Sequence, residues 1–189
     1  MNTSFKVQNL DKSMADQIKS SIDEISKSEA SPKQLTLELD STTGELILAV
    51  EIVRMAHELK VELLTKASGK LSSAGTVIAG AGKIGRRSAG LQTLLVLNDA
   101  ESEKLGKFRK VANPNLGIME YMLVRTTTKK RGVKQALASM NVITSFEAVE
   151  LGILDTLEGF ESMYAEELKP KSKKTTGAAT IQIESEVTK

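Results

Sequence analysis

The chain has 189 residues, 40% of them hydrophobic, which is enough for one domain with a real core. Its 26 basic and 24 acidic residues nearly cancel, so bulk charge calls for neither nucleic acid nor a membrane surface as a partner. With no cysteine, one histidine and only 3% aromatics, the composition argues against a disulfide framework, a thiol nucleophile, a zinc site and base-stacking platforms, and no metal or other cofactor is expected.

The start, Met1-Asn2-Thr3-Ser4-Phe5-Lys6, lacks the apolar core of a signal peptide, and no run approaches a transmembrane length; a cytoplasmic location is expected. Phe5-Lys6-Val7 reads as a short strand. Met14, Ile18, Ile22 and Ile25 recur at helical spacing and predict an amphipathic helix over 13–26, ended by Ser31-Pro32. Leu35-Thr36-Leu37-Glu38-Leu39 alternates as a half-buried strand does, and 40–44 reads as a turn with helix-start chemistry. Leu46, Ala49, Val50, Val53 and Ala56 predict a second helix to about Leu59, followed by a strand over 61–66.

Gly69-Lys70-Leu71-Ser72-Ser73-Ala74-Gly75 then ends an apolar strand and opens a small-residue helix. Ser73 falls at the helix N-terminus, where unpaired backbone N–H groups and the dipole favour an anionic nucleophile or an oxyanion. It also reads more simply as an N-cap. Two strand–turn–helix units of this kind describe an α/β arrangement with both helix N-termini facing one pocket.

Farther on, 91–97 is apolar and strand-like, while 99–111 is charged and poorly patterned. Helices are expected from Asn113-Pro114-Asn115 through Leu123, around Val133, Leu137 and Met140, and around Phe146, Val149 and Leu151, stopping at Gly152. From Lys169 the composition shifts to Lys, Thr, Gly and Ala, so 1–168 is expected to form the domain and 169–189 a disordered basic tail.

Three features are discounted. Gly80-Ala81-Gly82-Lys83-Ile84-Gly85 has dinucleotide-fingerprint spacing but follows a helix rather than a strand, and Ile84 stands where a phosphate loop needs Ser or Thr. His57, at the far end of the second helix, is expected to be a surface or packing residue that does not reach Ser73. Glu147 and Glu150 read as two solvated carboxylates with no second acid across a cleft.

With these residues placed, the chain resembles the Clp protease proteolytic subunit family over about residues 5–157. Leu37-Glu38-Leu39-Asp40-Ser41-Thr42-Thr43-Gly44 is similar to the family's strand and Asn-Ser-Pro-Gly-Gly turn, with Thr42 and Thr43 in place of the proline and first glycine. The segment 69–75 fits the Gly-x-x-x-Ser-x-Gly nucleophile turn, with Gly82 following at a distance. Thr144-Ser145-Phe146-Glu147-Ala148 onward to Gly152-Ile153-Leu154-Asp155 is close to the family's Ser-x-x-Glu-Ala-x-x-x-Gly segment, which ends in two hydrophobic residues and an Asp.

The resemblance implies an α/β crotonase-like spiral of ββα units with an added helical handle region, and subunits that associate into rings. It implies Ser73 as nucleophile and the amides of Gly44 and Ala74 as oxyanion hole. Leu97 takes the place of the family histidine, with Asn98 and Asp99 after it, and Met140 takes the place of the aspartate. An unassisted serine is a poor nucleophile, and loss of a triad's base removes several powers of ten in rate. The reading therefore favours a catalytically inactive, ring-forming structural subunit, a pseudoenzyme, over an active serine peptidase.

The alternative is a peptidase acting on peptide or protein through a Ser/Lys dyad, as in the similar signal peptide peptidase A family or a phage head-maturation protease. Its base would come from Lys104, Lys107, Lys110, Lys129 or Lys130. An acyl-CoA enzyme of the crotonase type ranks last, because no paired carboxylates line the expected pocket. The chain begins almost at the first strand, so the axial loop that engages an unfoldase ATPase is not expected, nor is docking to such an ATPase. The handle segment, 100–130, is short and lysine-rich, so rings are expected without face-to-face stacking.

Overall fold

The computed structural model describes residues 3–29, 31–98, 114–127 and 129–160. Its frame is a fully parallel five-stranded sheet in the order β1-β2-β3-β5-β8, formed by β1 (Thr3–Leu10), β2 (Gln34–Gly44), β3 (Glu62–Ser68), β5 (Arg87–Ala89) and β8 (Thr156–Leu157). Against it stands a small sheet in the order β4-β6-β7, from β4 (Lys70–Leu71), β6 (Leu94–Val96) and β7 (Val142–Thr144), with β4 parallel and β7 antiparallel to β6. This mixed α/β architecture is the one the resemblance implied.

Alternation decides which face of the large sheet is covered. Leu35, Leu37 and Leu39 of β2 and Leu63 and Ala67 of β3 are buried on one side. On that side pack the helices α1 (Lys12–Lys27), α2 (Leu46–Glu58) and α3 (Ser73–Ala81). The opposite face carries Lys6, Glu38 and Lys66 in one cross-strand row, all exposed, beside a Lys6–Asp40 ion pair at 3.0 Å. A parallel sheet is usually covered on both faces; the charged and polar residues at most alternate positions, such as Lys6, Gln8, Glu38, Asp40 and Lys66, are what let this one keep a wet side.

α1 is amphipathic, as predicted, with Ala15, Ile18 and Ile22 buried, and the Asp11 carboxylate accepts the Met14 N–H at 2.9 Å as its cap. α3 is different. It is buried from Ser73 through Gly80, so it must be built of small residues: a Cβ on Gly80 would lie 2.9 Å from a Leu123 methyl. α4 (Pro114–Thr126) packs on α3 and α5 (Lys130–Ser139) on α4, and α6 (Ser145–Glu150) completes the described helices.

Several elements depart from the sequence reading, the short strands β7 and β8 among them, which it did not anticipate. Residues 40–44 are not a helix-start turn; β2 runs on through them, past an irregular step opposite Val7 and Asn9, because the buried Thr42 hydroxyl donates to the Val7 carbonyl. The following helix consequently starts from Glu45 with no side-chain cap. The apolar run 91–97 yields only a three-residue strand, and β5 goes unpredicted, since Arg87-Ser88-Ala89 has no apolar pattern. The charged segment 99–111 and the basic tail 169–189 lie outside the described residues, as do Lys104, Lys107 and Lys110. Among the described residues no helix is long and apolar enough to cross a membrane.

Candidate functional site

The parallel strands β4 and β6 leave the small sheet at the same edge, and register shows what meets there. Leu71 pairs with Leu95, and Leu95 with Ile143. Two residues beyond Leu71 and Leu95 come Ser73 and Leu97; two before Ile143 comes Asn141, preceded by Met140. The edge is closed by the Leu97 and Asn98 N–H groups, which both donate to the Asn141 carbonyl, at 2.8 and 3.1 Å. With strands about 4.8 Å apart, Ser73, Leu97 and Met140 are gathered at one end of one sheet.

The 40–44 segment abuts the same end. The Ser72 N–H donates to the Thr42 carbonyl at 2.8 Å. Gly69 has φ +67°, and a Cβ there would run into the Ser41 hydroxyl; a Cβ on Gly75 would come within 3.1 Å of Leu71 Cβ and 3.2 Å of Thr42 Cβ. The neighbouring strand end thus accounts for Gly69, whose positive φ also favours glycine, and leaves only a tight fit for a side chain at Gly75. Gly44 has φ +133° and sits against the Leu10 carbonyl, so its lack of a side chain answers to β1.

This order of elements, with a serine turn between strand and buried helix, is what a family comparison tests. The family model described as Clp protease matches residues 3–159. The chain belongs to the Clp protease family. Among solved structures, the ClpP protease catalytic domain from Plasmodium falciparum superposes with a TM-score of 0.62 at 16% identity, covering 82% of this chain and 83% of that one. A peptidase from Plasmodium falciparum gives a TM-score of 0.61 at 16% identity, with 82% and 94% covered. At that identity the likeness speaks for the fold. No curated protein matches the chain.

Within the Clp protease fold the candidate residues have distinct environments. Ser73 is 3% exposed. It is not the N-cap: that position is Ser72, whose side chain accepts the Gly75 N–H at 3.4 Å, which makes Ser73 the first helical residue. Capping therefore does not explain Ser73. Ala74, the second residue of α3, has an N–H that no carbonyl of its own helix can accept. Leu97 is 1% exposed, and Met140, 36% exposed, is the C-cap of α5. Neither side chain can take or hold a proton at neutral pH.

His57 is exposed near the C-terminal end of α2, the end remote from Gly44. Lys129 and Lys130 begin α5 while Met140 ends it, a separation of about 15 Å at 1.5 Å per residue. Glu147 is more than a solvated carboxylate. It accepts the Thr144 N–H at 2.7 Å and the Thr144 hydroxyl at 2.9 Å, while Thr144 Oγ1 accepts the Glu147 N–H, a capping box that fixes α6 at the end of β7. The Thr144 backbone N–H first, and its hydroxyl second, hold the Glu147 carboxyl below the usual range. Glu150 is exposed.

Sequence reasoning missed Arg87, at the other end of α3. Its guanidinium is paired with the Asp155 carboxylate at 2.6 and 2.9 Å, and both side chains are 3% exposed. Asp155 also accepts the Gly85 and Arg87 N–H groups, and Arg87 Nη1 donates to the Gly80 and Thr126 carbonyls, at the ends of α3 and α4. The one available signal was Asp155 closing a family-like segment, because a buried acid requires a buried cation.

Proposed function

We propose that this Clp protease family member is a catalytically inactive subunit that serves assembly, with Ser73 in the nucleophile position and the Gly44 and Ala74 amides in the oxyanion-hole positions. What carries the reading is the pair of residues at the shared strand edge. Leu97 and Met140 stand where a serine peptidase would keep a base and the residue that orients it. Leucine accepts no proton, so the hydroxyl of Ser73 is not converted by it into a nucleophile, and only oxyanion stabilisation would remain, far below a full triad.

Self-association is supported by apolar side chains around the small sheet. Leu94 and Val142 are 38% and 39% exposed, and Leu91 and Phe146 nearby are 45% and 54% exposed, beyond what a solvated surface needs. Lys129 and Lys130 are exposed, at the end of α5 away from Met140, which counts against them as the base of a Ser/Lys dyad, since a lysine base must be desolvated beside the hydroxyl.

A fluorophosphonate probe tests the proposal. The purified chain is expected to take no label at Ser73, Ser73→Ala is expected to leave peptide turnover and native mass unchanged, and native mass spectrometry is expected to return a multiple of the chain mass. Labelling that Ser73→Ala abolishes would establish an active peptidase and overturn the proposal. Restoring a proton path with Leu97→His plus Met140→Asp is expected to create such labelling.

A further inference from the structure

Between α2 and α4, away from the serine turn, runs a groove of about 630 Å³. Its floor is apolar, with Val50, Val53, Val61, Leu63 and Met122, whereas its rim is rich in cations. Lys83 is neutralised by Glu62 at 2.6 Å, but Arg54 reaches Glu58 only at 3.7 Å, and Arg125 lies over the Tyr121 ring at 3.9 Å with no carboxylate partner among the described residues. An occupant must therefore bring apolar side chains with acidic ones beside them.

The chain itself contains such a stretch. In Ile181-Gln182-Ile183-Glu184-Ser185-Glu186-Val187 the apolar residues fall at 181, 183 and 187, with Ser185 between them, and the polar Gln182, Glu184 and Glu186 take the alternate positions, so an extended backbone would set the two groups on opposite sides. Reach is ample. Leu157 pairs with Ala89, which pairs with Ala67, four residues along β3 from Leu63 in the groove. Two strand spacings and four residues of rise separate them by roughly 17 Å. The 20 residues between Phe160 and Ile181 span up to about 70 Å when extended.

We propose that residues 181–187 dock in the groove of their own chain, with the apolar positions on its floor and Glu184 and Glu186 against Arg54 and Arg125. The chain has no cysteine, so two introduced thiols report proximity without background. Under mild oxidation the full-length His57→Cys/Ile183→Cys variant is expected to form an intramolecular disulfide at least ten times faster than Ile47→Cys/Ile183→Cys, since Ile47 is exposed on α2 outside the groove. Adding Glu184→Lys and Glu186→Lys is expected to slow it at least fivefold. Equal rates at positions 57 and 47, a rate indifferent to the two charge reversals, or a disulfide found only between copies when two isotopically distinct single-thiol variants are mixed, would each overturn the proposal. The last result would give the groove to a second copy of the chain.

Discussion

The two ends of α3 are built on opposite terms. At its C-terminal end a buried arginine and a buried aspartate satisfy each other, and the arginine also takes the last carbonyls of α3 and α4, where the helix dipoles favour a cation. At its N-terminal end a buried serine stands at the edge of a sheet whose neighbouring positions hold Leu97 and Met140. The contrast separates what the fold requires from what the chemistry would require. The clasp is complete because an unpaired buried charge would cost the domain about 3–5 kcal/mol, whereas leucine and methionine beside a buried serine put no unpaired charge into the fold.

Breaking the clasp should give the largest effect on stability. Arg87→Met leaves Asp155 buried without its cation, and Asp155→Ala leaves Arg87 likewise; each is expected to cost about 3–5 kcal/mol. The double substitution Arg87→Met/Asp155→Leu is expected to recover much of that loss, because it removes both desolvated charges. Urea unfolding followed by circular dichroism measures all three. A single variant with wild-type stability would mean that the clasp does not hold α3 and α4, and the contrast between the two ends would fail.

How much of this was legible depended on periodicity. Val7, Leu37 and Leu39, and Ile18 and Ile22, repeat at strand and helix spacing because one face of each element is buried, and those elements emerged from the sequence with their ends off by a few residues. β5 did not emerge, because it is held by the ion pair of its first residue, Arg87, and by two short parallel ladders rather than by apolar alternation. Glu147 was undervalued for a similar reason: its partners are a backbone N–H and a hydroxyl three residues back, so no search for a second acid finds them. At the candidate site, the glycine spacing of 69–75 was readable as a motif, but its cause, the crossing of Ser41 and Thr42 over Gly69 and Gly75, belongs to tertiary structure. The mistaken turn over 40–44 has the same source, since Thr42 is drawn into the sheet by the Val7 carbonyl.

At the serine end the turn itself can be tested apart from its chemistry. Gly69→Ala places a Cβ against the Ser41 hydroxyl and holds an alanine at φ +67°, which is expected to cost about 1–2 kcal/mol. Ser41→Gly removes the obstructing hydroxyl and relaxes a residue at φ +48°. Added to Gly69→Ala it is expected to restore part of the stability but not all, because the strain at residue 69 remains. Full additivity of the two changes in thermal unfolding would show that the strand end and the serine turn do not touch, and the packing of Ser41 and Thr42 against the turn would lose its support.

The smallest effect is expected from the capping box beside the same edge, and its sign follows from the donors that Glu147 accepts. Its carboxyl is held below the ordinary 4.5 by the Thr144 N–H and hydroxyl, so the folded state prefers the charged form more than the unfolded chain does. The contribution is therefore fully present above 4.5 and is lost as the pH falls through the lower folded value. Because the carboxylate is only partly buried, Glu147→Gln is expected to cost less than about 1 kcal/mol at neutral pH, in the range of a lost cap. Once the pH has fallen below that folded value, its unfolding midpoint should converge on that of the parent chain. Asp40 and Glu62, held low by Lys6 and Lys83, titrate in both proteins and cancel in the difference. A gap between the two proteins that persists unchanged into acid would mean that Glu147 acts there through packing rather than charge. The end of β7, and with it the position of Met140 beside Leu97, would then be fixed by something other than the Thr144 cap.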